Sequence, residues 1–339
     1  GGDDPVANLE VGDVAEPDLR AGWALIRFGA GSLNHHDVWT LRSVSATPVV
    51  PPNILGSDLA GTVERYEGDV GEQVPAIGSR VVVHGTVVCT RCPACLGDEG
   101  GICRFARLFS ESPVAGTFSE HVAVPVANLI ALPDSVSFDD AGCLPTAYLT
   151  AYHMLFQRAQ LRPGMSVLVH GVTGGVASAV ILLARLAGIT VFATSRDAAK
   201  RALAAELGAA AVFPPERETA RAVIGLTAGM GVDAVMETVG EPTWDLSLRA
   251  VKPGGVVVVA GATGGMNPPA QLNRIFYRNV TIAGSSMGSR AELRRLVELC
   301  ANGRLRPLIG ARHTVEDAEA AFGAMVAGEL RGKIVLTAG

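Results

Sequence analysis

The stretch that most constrains this chain is residues 166–200, SVLVHGVTGGVASAVILLARLAGITVFATSRDAAK. Ser166-Val-Leu-Val-His170 is short, apolar and β-branched, the composition of a strand buried on both faces. Gly171, Gly174 and Gly175 then make a turn. The pattern predicts a helix over 176–187, with Ala177, Ala179, Ala184 and Ala187 along one face. Gly188 ends that helix, and 189–195 reads as a second buried strand. One such strand–helix–strand unit commits the chain to a parallel sheet, because parallel neighbours need a crossover.

The turn is shaped for a dinucleotide. Its spacing, Gly171-x-x-Gly174-x-x-Ala177, gives a tight bend, a close backbone approach and a small residue for helix–strand packing. The helix N-terminus carries partial positive charge for a pyrophosphate. Gly171, Thr173, Gly174, Gly175 and Val176 are therefore candidate cofactor residues. The tip of the second strand reads Thr194-Ser195-Arg196, with Lys200 one turn on and no acid before Asp197. A carboxylate at the tip would read a ribose 2′-OH. Ser195, Arg196 and Lys200 suit a 2′-phosphate instead, so NADPH is the expected cofactor. A cofactor-free doubly wound domain, with both bases on a solvated helix start, is the alternative.

Length, at 339 residues, makes two domains the expectation. A hydrophobic share of 48% against 18% charged is enough for large cores and unlike a disordered chain. The net charge of −5, without a polybasic run, argues against nucleic-acid partners. The most apolar window, 176–193, is broken by Arg185 and Gly188, so no membrane span is expected. No secretory leader is read at the start, and with free-looking Cys143 and Cys300 a reducing cytoplasm is the expected setting.

Ahead of residue 136, short strand patterns at 6–14, 23–30, 62–67, 79–84 and two within 116–132 alternate with glycine turns. They suggest a barrel-like β domain. A helix is expected over 137–156, further strands at 210–213, 232–237, 255–260 and 280–283, and helices at 198–207, 290–301 and 315–326. The expected fold is α/β: a doubly wound dinucleotide-binding sheet over 136–302, inserted into a β domain split between 1–135 and 303–339. Cys89, Cys92, Cys95 and Cys103, spaced by two, two and seven residues, form a lobe at about 86–106. Four soft thiolates suit tetrahedral Zn²⁺ with no position left for water, a closed structural site. Two disulfides, or four unrelated thiols, are the alternatives.

The β domain, the Cys-x2-Cys-x2-Cys-x7-Cys lobe, the inserted sheet and the terminal Gly332-Lys-Ile-Val-Leu336 strand together resemble the medium-chain dehydrogenase/reductases. The zinc-type alcohol dehydrogenase and quinone oxidoreductase branches are the most similar. The resemblance covers nearly the whole chain and implies a GroES-like β domain. It also implies a strand ahead of Gly1-Gly2-Asp3, which this sequence does not include. Zinc-dependent members take catalytic ligands from three places, which here hold Asn34, Ser57 and Thr146. All three metal ligands are replaced by residues that bind zinc poorly. A site rebuilt from His35, His36, Asp58 and Cys143 is the alternative.

What the resemblance then implies is an NADPH-dependent reductase of quinones, enones or enoyl thioesters that keeps a structural zinc. Asn34 would donate to the substrate carbonyl or cap a helix, His36 would supply a proton, and Asp58 would orient its neighbours. Thr146 and Tyr148 would line the pocket or the core. Thr150, Gly240, Gly261 and Ser285 would contact the cofactor and Lys333 would approach the pyrophosphate. Loops 40–55 and 263–290 would shape the pocket. A small-molecule substrate and a homodimer or homotetramer are implied. A zinc-dependent alcohol dehydrogenase and a non-catalytic NADPH-binding protein are the competing readings.

Overall fold

The computed structural model describes residues 4–44, 48–97, 100–329 and 331–339. The expectations for Gly1-Gly2-Asp3, for part of the 40–55 loop and for part of the cysteine lobe fall outside these residues. Contacts divide the chain into Gly1–Leu149 with Met287–Gly339, and Thr150–Ser286. The sequence pattern alone places these divisions at 135/136 and 302/303.

The first unit is built on strand Trp23–Ser32, in which Ala24, Leu25, Ile26 and Phe28 are buried on both faces. It pairs antiparallel with Leu59–Glu67, with His121–Pro125 at its start and with Lys333–Thr337 at its end. The sheet runs Ile309–Thr314, Lys333–Thr337, Trp23–Ser32, Leu59–Glu67, Arg80–Val83, Leu129–Ala131. Ile26, Phe28, Leu59, Val63, Phe322 and Leu336 are part of its core. The register Ser32↔Val335 decides which residues meet where the two strands end. It sets Leu33 N–H on Ile334 O at 3.0 Å and so brings Asn34 to Lys333.

Two expectations for this part of the chain are corrected. Residues 6–14 form no strand: Pro5–Asn8 is a 3₁₀ turn, capped by Asp4 Oδ1 accepting from Val6 N–H. Proline at the first turn suits that, since its missing N–H would have no partner there. Residues 137–156 are not one regular helix either. Phe138–Ala141 is α, Leu144–Tyr148 is π, Leu149–Tyr152 is α and His153–Arg158 is π. Pro145 removes one donor from the ladder, and the wider π turns accommodate the loss.

The second unit is a six-stranded parallel sheet in the order Ala211–Phe213, Thr190–Thr194, Ser166–His170, Val232–Glu237, Val251–Val259, Thr281–Gly284. This is the 3-2-1-4-5-6 order of a doubly wound fold, with its switch point beside Ser166–His170. Gly175–Leu186, Ala198–Leu207, Thr219–Leu226 and Glu241–Ala250 are its main helices. No helix of the described residues is long and apolar enough to cross a membrane.

Candidate functional site

In the β unit, three segments meet just beyond the end of Trp23–Ser32. Gly56 takes φ +100°, and a Cβ there would stand 2.6 Å from Thr117 Oγ1, so the turn before Ser57 and Asp58 requires glycine. Asp37 ties this turn to the start of helix His35–Leu41: Oδ2 accepts from Asn34 N–H at 2.8 Å and Oδ1 from Gly56 N–H at 3.1 Å. Burial pushes the Asp37 carboxyl up to about 6, against the pull of those donors.

Asn34, Ser57 and Thr146 form a hydrogen-bonded row. Asn34 Nδ2 lies 3.2 Å from Ser57 Oγ, and Ser57 Oγ lies 3.2 Å from Thr146 Oγ1. Nδ2 also donates to Asp58 Oδ2 at 3.0 Å. Lys333 Nζ donates to Asn34 Oδ1 at 2.6 Å and to Leu33 O at 2.7 Å, and stands 3.4 Å from Asp58 Oδ2. Lys333 is 3% exposed and Asp58 0%. Lys333, expected at a pyrophosphate, is thus buried inside the β unit with its ammonium engaged there. Ser32 Oγ is 2.6 Å from Asp58 Oδ2, while Asp58 Oδ1 has no hydrogen-bond partner among the described residues.

The other expected site residues of this unit lie apart from the row. His36 Nε2 is 3.3 Å from Glu111 Oε1, and Nδ1 is 3.4 Å from Ser110 Oγ. The bond to His36 holds the Glu111 carboxyl below its usual range. Tyr148 is fully buried and its hydroxyl accepts from Leu308 N–H at 2.7 Å, a core role. Cys143 Sγ donates to Asp139 O at 3.2 Å, and burial raises its thiol pKa. The rebuilt set of His35, His36, Asp58 and Cys143 is not brought together. Among the described residues, Cys89, Cys92, Cys95 and Cys103 form the one group placed to hold a metal.

Those four Sγ atoms lie within 4.8 Å of one another, with contacts of 3.5, 3.6 and 3.8 Å. A tetrahedron of 2.3 Å zinc–sulfur bonds has edges of about 3.8 Å, so the donor set fits such an ion. All six cysteines are free thiols in the structure.

In the second unit, Gly171 takes φ +82° and its N–H donates to Thr194 O at 3.0 Å. A Cβ on it would meet Ala177 Cβ at 3.7 Å, the close packing that the small third residue was expected to give. Thr173 is buried, Gly174 caps helix Gly175–Leu186 without a side chain, and a Cβ on it would meet nothing. The first amides of that helix, at Gly175 and Val176, therefore lack capping side chains, which suits an anion. Arg196 is exposed and Lys200 half-buried. Asp197 is committed to capping Ala198–Leu207, accepting from Ala199 N–H at 2.7 Å and Lys200 N–H at 3.2 Å. Thr150 is buried. Gly240 takes φ +90°, and Gly261 would bring a Cβ within 3.2 Å of Thr238 O. Ser285 Oγ is buried without a partner among the described residues.

Sequence reasoning missed the support beneath these loops. Glu237 Oε1 accepts from Val239 N–H, Gly240 N–H and Thr243 Oγ, and Oε2 from Ser247 Oγ at 2.6 Å. His170, just before Gly171, joins Thr194 Oγ1 at 3.0 Å to Ser247 Oγ at 2.8 Å. A Glu and a His closing two largely apolar strands were the available signal.

Two family descriptions match the chain: the alcohol dehydrogenase GroES-like domain over residues 20–134 and the zinc-binding dehydrogenase over 175–302. A zinc-type alcohol dehydrogenase-like protein of Schizosaccharomyces pombe is 30% identical over 86% of this chain and 84% of that protein. The chain belongs to the medium-chain dehydrogenase/reductase family. It is an oxidoreductase of that family. A solved NAD-dependent alcohol dehydrogenase shares the fold at TM-score 0.91 and 32% identity, over 97% of this chain and 96% of that one. The crotonyl-CoA carboxylase/reductase of Cereibacter sphaeroides is 27% identical over 90% of this chain and 77% of that protein. A highly reducing polyketide synthase of a fungal species is 28% identical over 95% of this chain, which spans only 12% of that protein.

Proposed function

We propose that this chain is an NADPH-dependent reductase that delivers hydride to a quinone, an enone or an enoyl thioester, with no metal at the reacting centre. The observation that carries the reading is the row Lys333–Asn34–Ser57–Thr146. Where zinc-dependent members of the family place ligands, this chain has an amide and two hydroxyls bonded to one another and to an ammonium. Neutral oxygens of this kind are weak zinc donors, and the nearby Asp58 carboxylate is paired with Lys333. Reduction of an electron-poor double bond asks for a hydride, a proton from water and donors at the oxygen where charge develops. A relative named for crotonyl-CoA supports the thioester class.

Bound NADPH would supply the hydride. The turn Gly171–Val176 would face its pyrophosphate, and Arg196 with Lys200 its 2′-phosphate. The capping role of Asp197 fits this, since its Oδ1 is turned onto the Ala199 and Lys200 amides while Arg196 before it is exposed. The cysteine lobe would hold one structural zinc. A reducing cytoplasm and a homodimer or homotetramer complete the reading.

The test is oxidation of NADPH and of NADH with a panel of quinones, enones and enoyl thioesters, beside zinc analysis of protein purified without added metal. Turnover with NADPH and one zinc per chain are expected. Two zincs per chain, with turnover of alcohols, would replace the reading by a metal-dependent one. Arg196→Ala should raise the KM for NADPH about tenfold or more while that for NADH hardly moves, since a charge-assisted phosphate contact is worth about 1.5–3 kcal/mol. Equal effects on both cofactors would sink the 2′-phosphate assignment.

A further inference from the structure

The row from Lys333 to Thr146 has a direction. An ammonium can only donate, so at 2.6 Å it fixes Asn34 Oδ1 as acceptor and leaves Nδ2 as donor. Nδ2 has two protons for three acceptors, Asp58 Oδ2 at 3.0 Å, Ser32 O at 3.2 Å and Ser57 Oγ at 3.2 Å, so Ser57 Oγ accepts a share of one of them. Ser57 is 1% exposed, and the one acceptor near its own proton among the described residues is Thr146 Oγ1 at 3.2 Å. Aimed elsewhere, that proton would be buried unpaired, at about 1–3 kcal/mol. Thr146 thus accepts from Ser57, and its own hydroxyl proton has no acceptor among the described residues. Across 141–150, Thr146 is the single residue that is not buried. The row begins at a buried ammonium and ends at the hydroxyl of a partly exposed residue.

We propose that the Thr146 hydroxyl is the donor that receives the developing substrate oxyanion, and that Lys333, Asn34 and Ser57 are positioning residues acting through it. The proposal rests on the reductase reading. When hydride bonds to the β-carbon of an enone or enoyl thioester, the C=C π pair shifts toward the carbonyl, whose own π pair moves onto oxygen to give an enolate. Water then protonates the α-carbon and the carbonyl is restored. A preset donor at that oxygen favours the enolate over the ground state, which is what accelerates the step. Each link strengthens the next: an ammonium on the amide oxygen polarises Nδ2–H, which polarises the Ser57 hydroxyl. Lys333, itself paired with Asp58, so sets the direction in which the three neutral groups of the row present their donors.

The test uses para-nitrophenol, whose phenolate mimics the enolate oxygen, with the NADP⁺-loaded full chain as wild type, Thr146→Val, Thr146→Ser, Ser57→Ala and the double Ser57→Ala/Thr146→Val. Wild type is expected to bind the probe as phenolate, seen by its absorbance. Thr146→Val should weaken phenolate binding about tenfold or more, and Thr146→Ser should restore it. Ser57→Ala should fall part-way. The double variant should fall no further than Thr146→Val, because Ser57 acts only through Thr146. Losses that add, a Thr146→Val protein that binds like wild type, or no phenolate binding by wild type would each overturn the proposal. With any enone that turns over, kcat should drop about a hundredfold in Thr146→Val at unchanged KM for NADPH. The reductase reading fails separately, if wild type binds phenolate through Thr146 yet oxidises NADPH with no member of the panel.

Discussion

The cysteine lobe and the Lys333 row both gather electron-rich side chains around a place for positive charge, and they fill that place from different sources. In the lobe, four thiols from one short segment, 89–103, converge on a point that an ion from solution fits. In the row, the cation is part of the chain: strand Lys333–Thr337 delivers an ammonium to Asn34 and Asp58, which come from segments about three hundred residues away in sequence. A charge supplied from solution can be removed by a chelator or by loss of one ligand. A charge supplied by the fold can be removed only with a side chain, and then its counter-charge stays behind.

The largest expected effect separates the two regions on this point. Lys333→Met leaves the fully buried Asp58 carboxylate without its cation and should destabilise the chain by about 3–5 kcal/mol. Adding Asp58→Asn should recover most of that loss in denaturant unfolding; a double variant as unstable as the single would mean Lys333 matters for packing alone. Cys92→Ser should have the next largest effect. Bound zinc should fall well below one per chain and the thermal midpoint drop by several degrees, with the unfolding confined to the lobe at first. Treating wild type with a chelator should reproduce this, while leaving the Lys333→Met deficit unchanged. Unaltered zinc content in Cys92→Ser would break the comparison by removing the metal from the lobe.

The same contrast explains what was legible in the sequence. The lobe was readable because all its donors lie within fifteen positions and thiols at that spacing have few other uses. The dinucleotide unit was readable because a buried parallel strand, a glycine turn and a helix follow one another locally. At the row, the residue substitutions were visible once the resemblance was drawn, but their mutual bonding was not. Asn34, Ser57, Thr146 and Lys333 meet through strand register and a π turn around Pro145, which carry no local signature. That is why Lys333 was expected at a phosphate, and His36, which turns to Glu111, at the reacting centre. Ser32 and Asp37 went unnoticed because a buried serine and a capping acid look ordinary in a sequence.

Asp37 gives the smallest expected effect and the finest test of the contrast. Asp58 is buried beside an ammonium, whereas Asp37 is buried with two backbone N–H donors at its oxygens. Burial wins over those donors, and its folded-state pKa rises from 3.8 to about 6. Between these values the folded chain keeps a proton that the unfolded chain has released. Stability should therefore fall as pH rises from about 4 to about 6 and level off above that. Asp37→Asn has no proton to lose and should lack this slope. The stability of wild type minus that of the variant should be greater at pH 4 than at pH 7, by about 2 kcal/mol for a shift of this size. Guanidinium unfolding of both proteins at a series of pH values reads it directly. A difference that grows with rising pH would have the opposite meaning: the two backbone donors would outweigh burial and hold the Asp37 carboxylate charged.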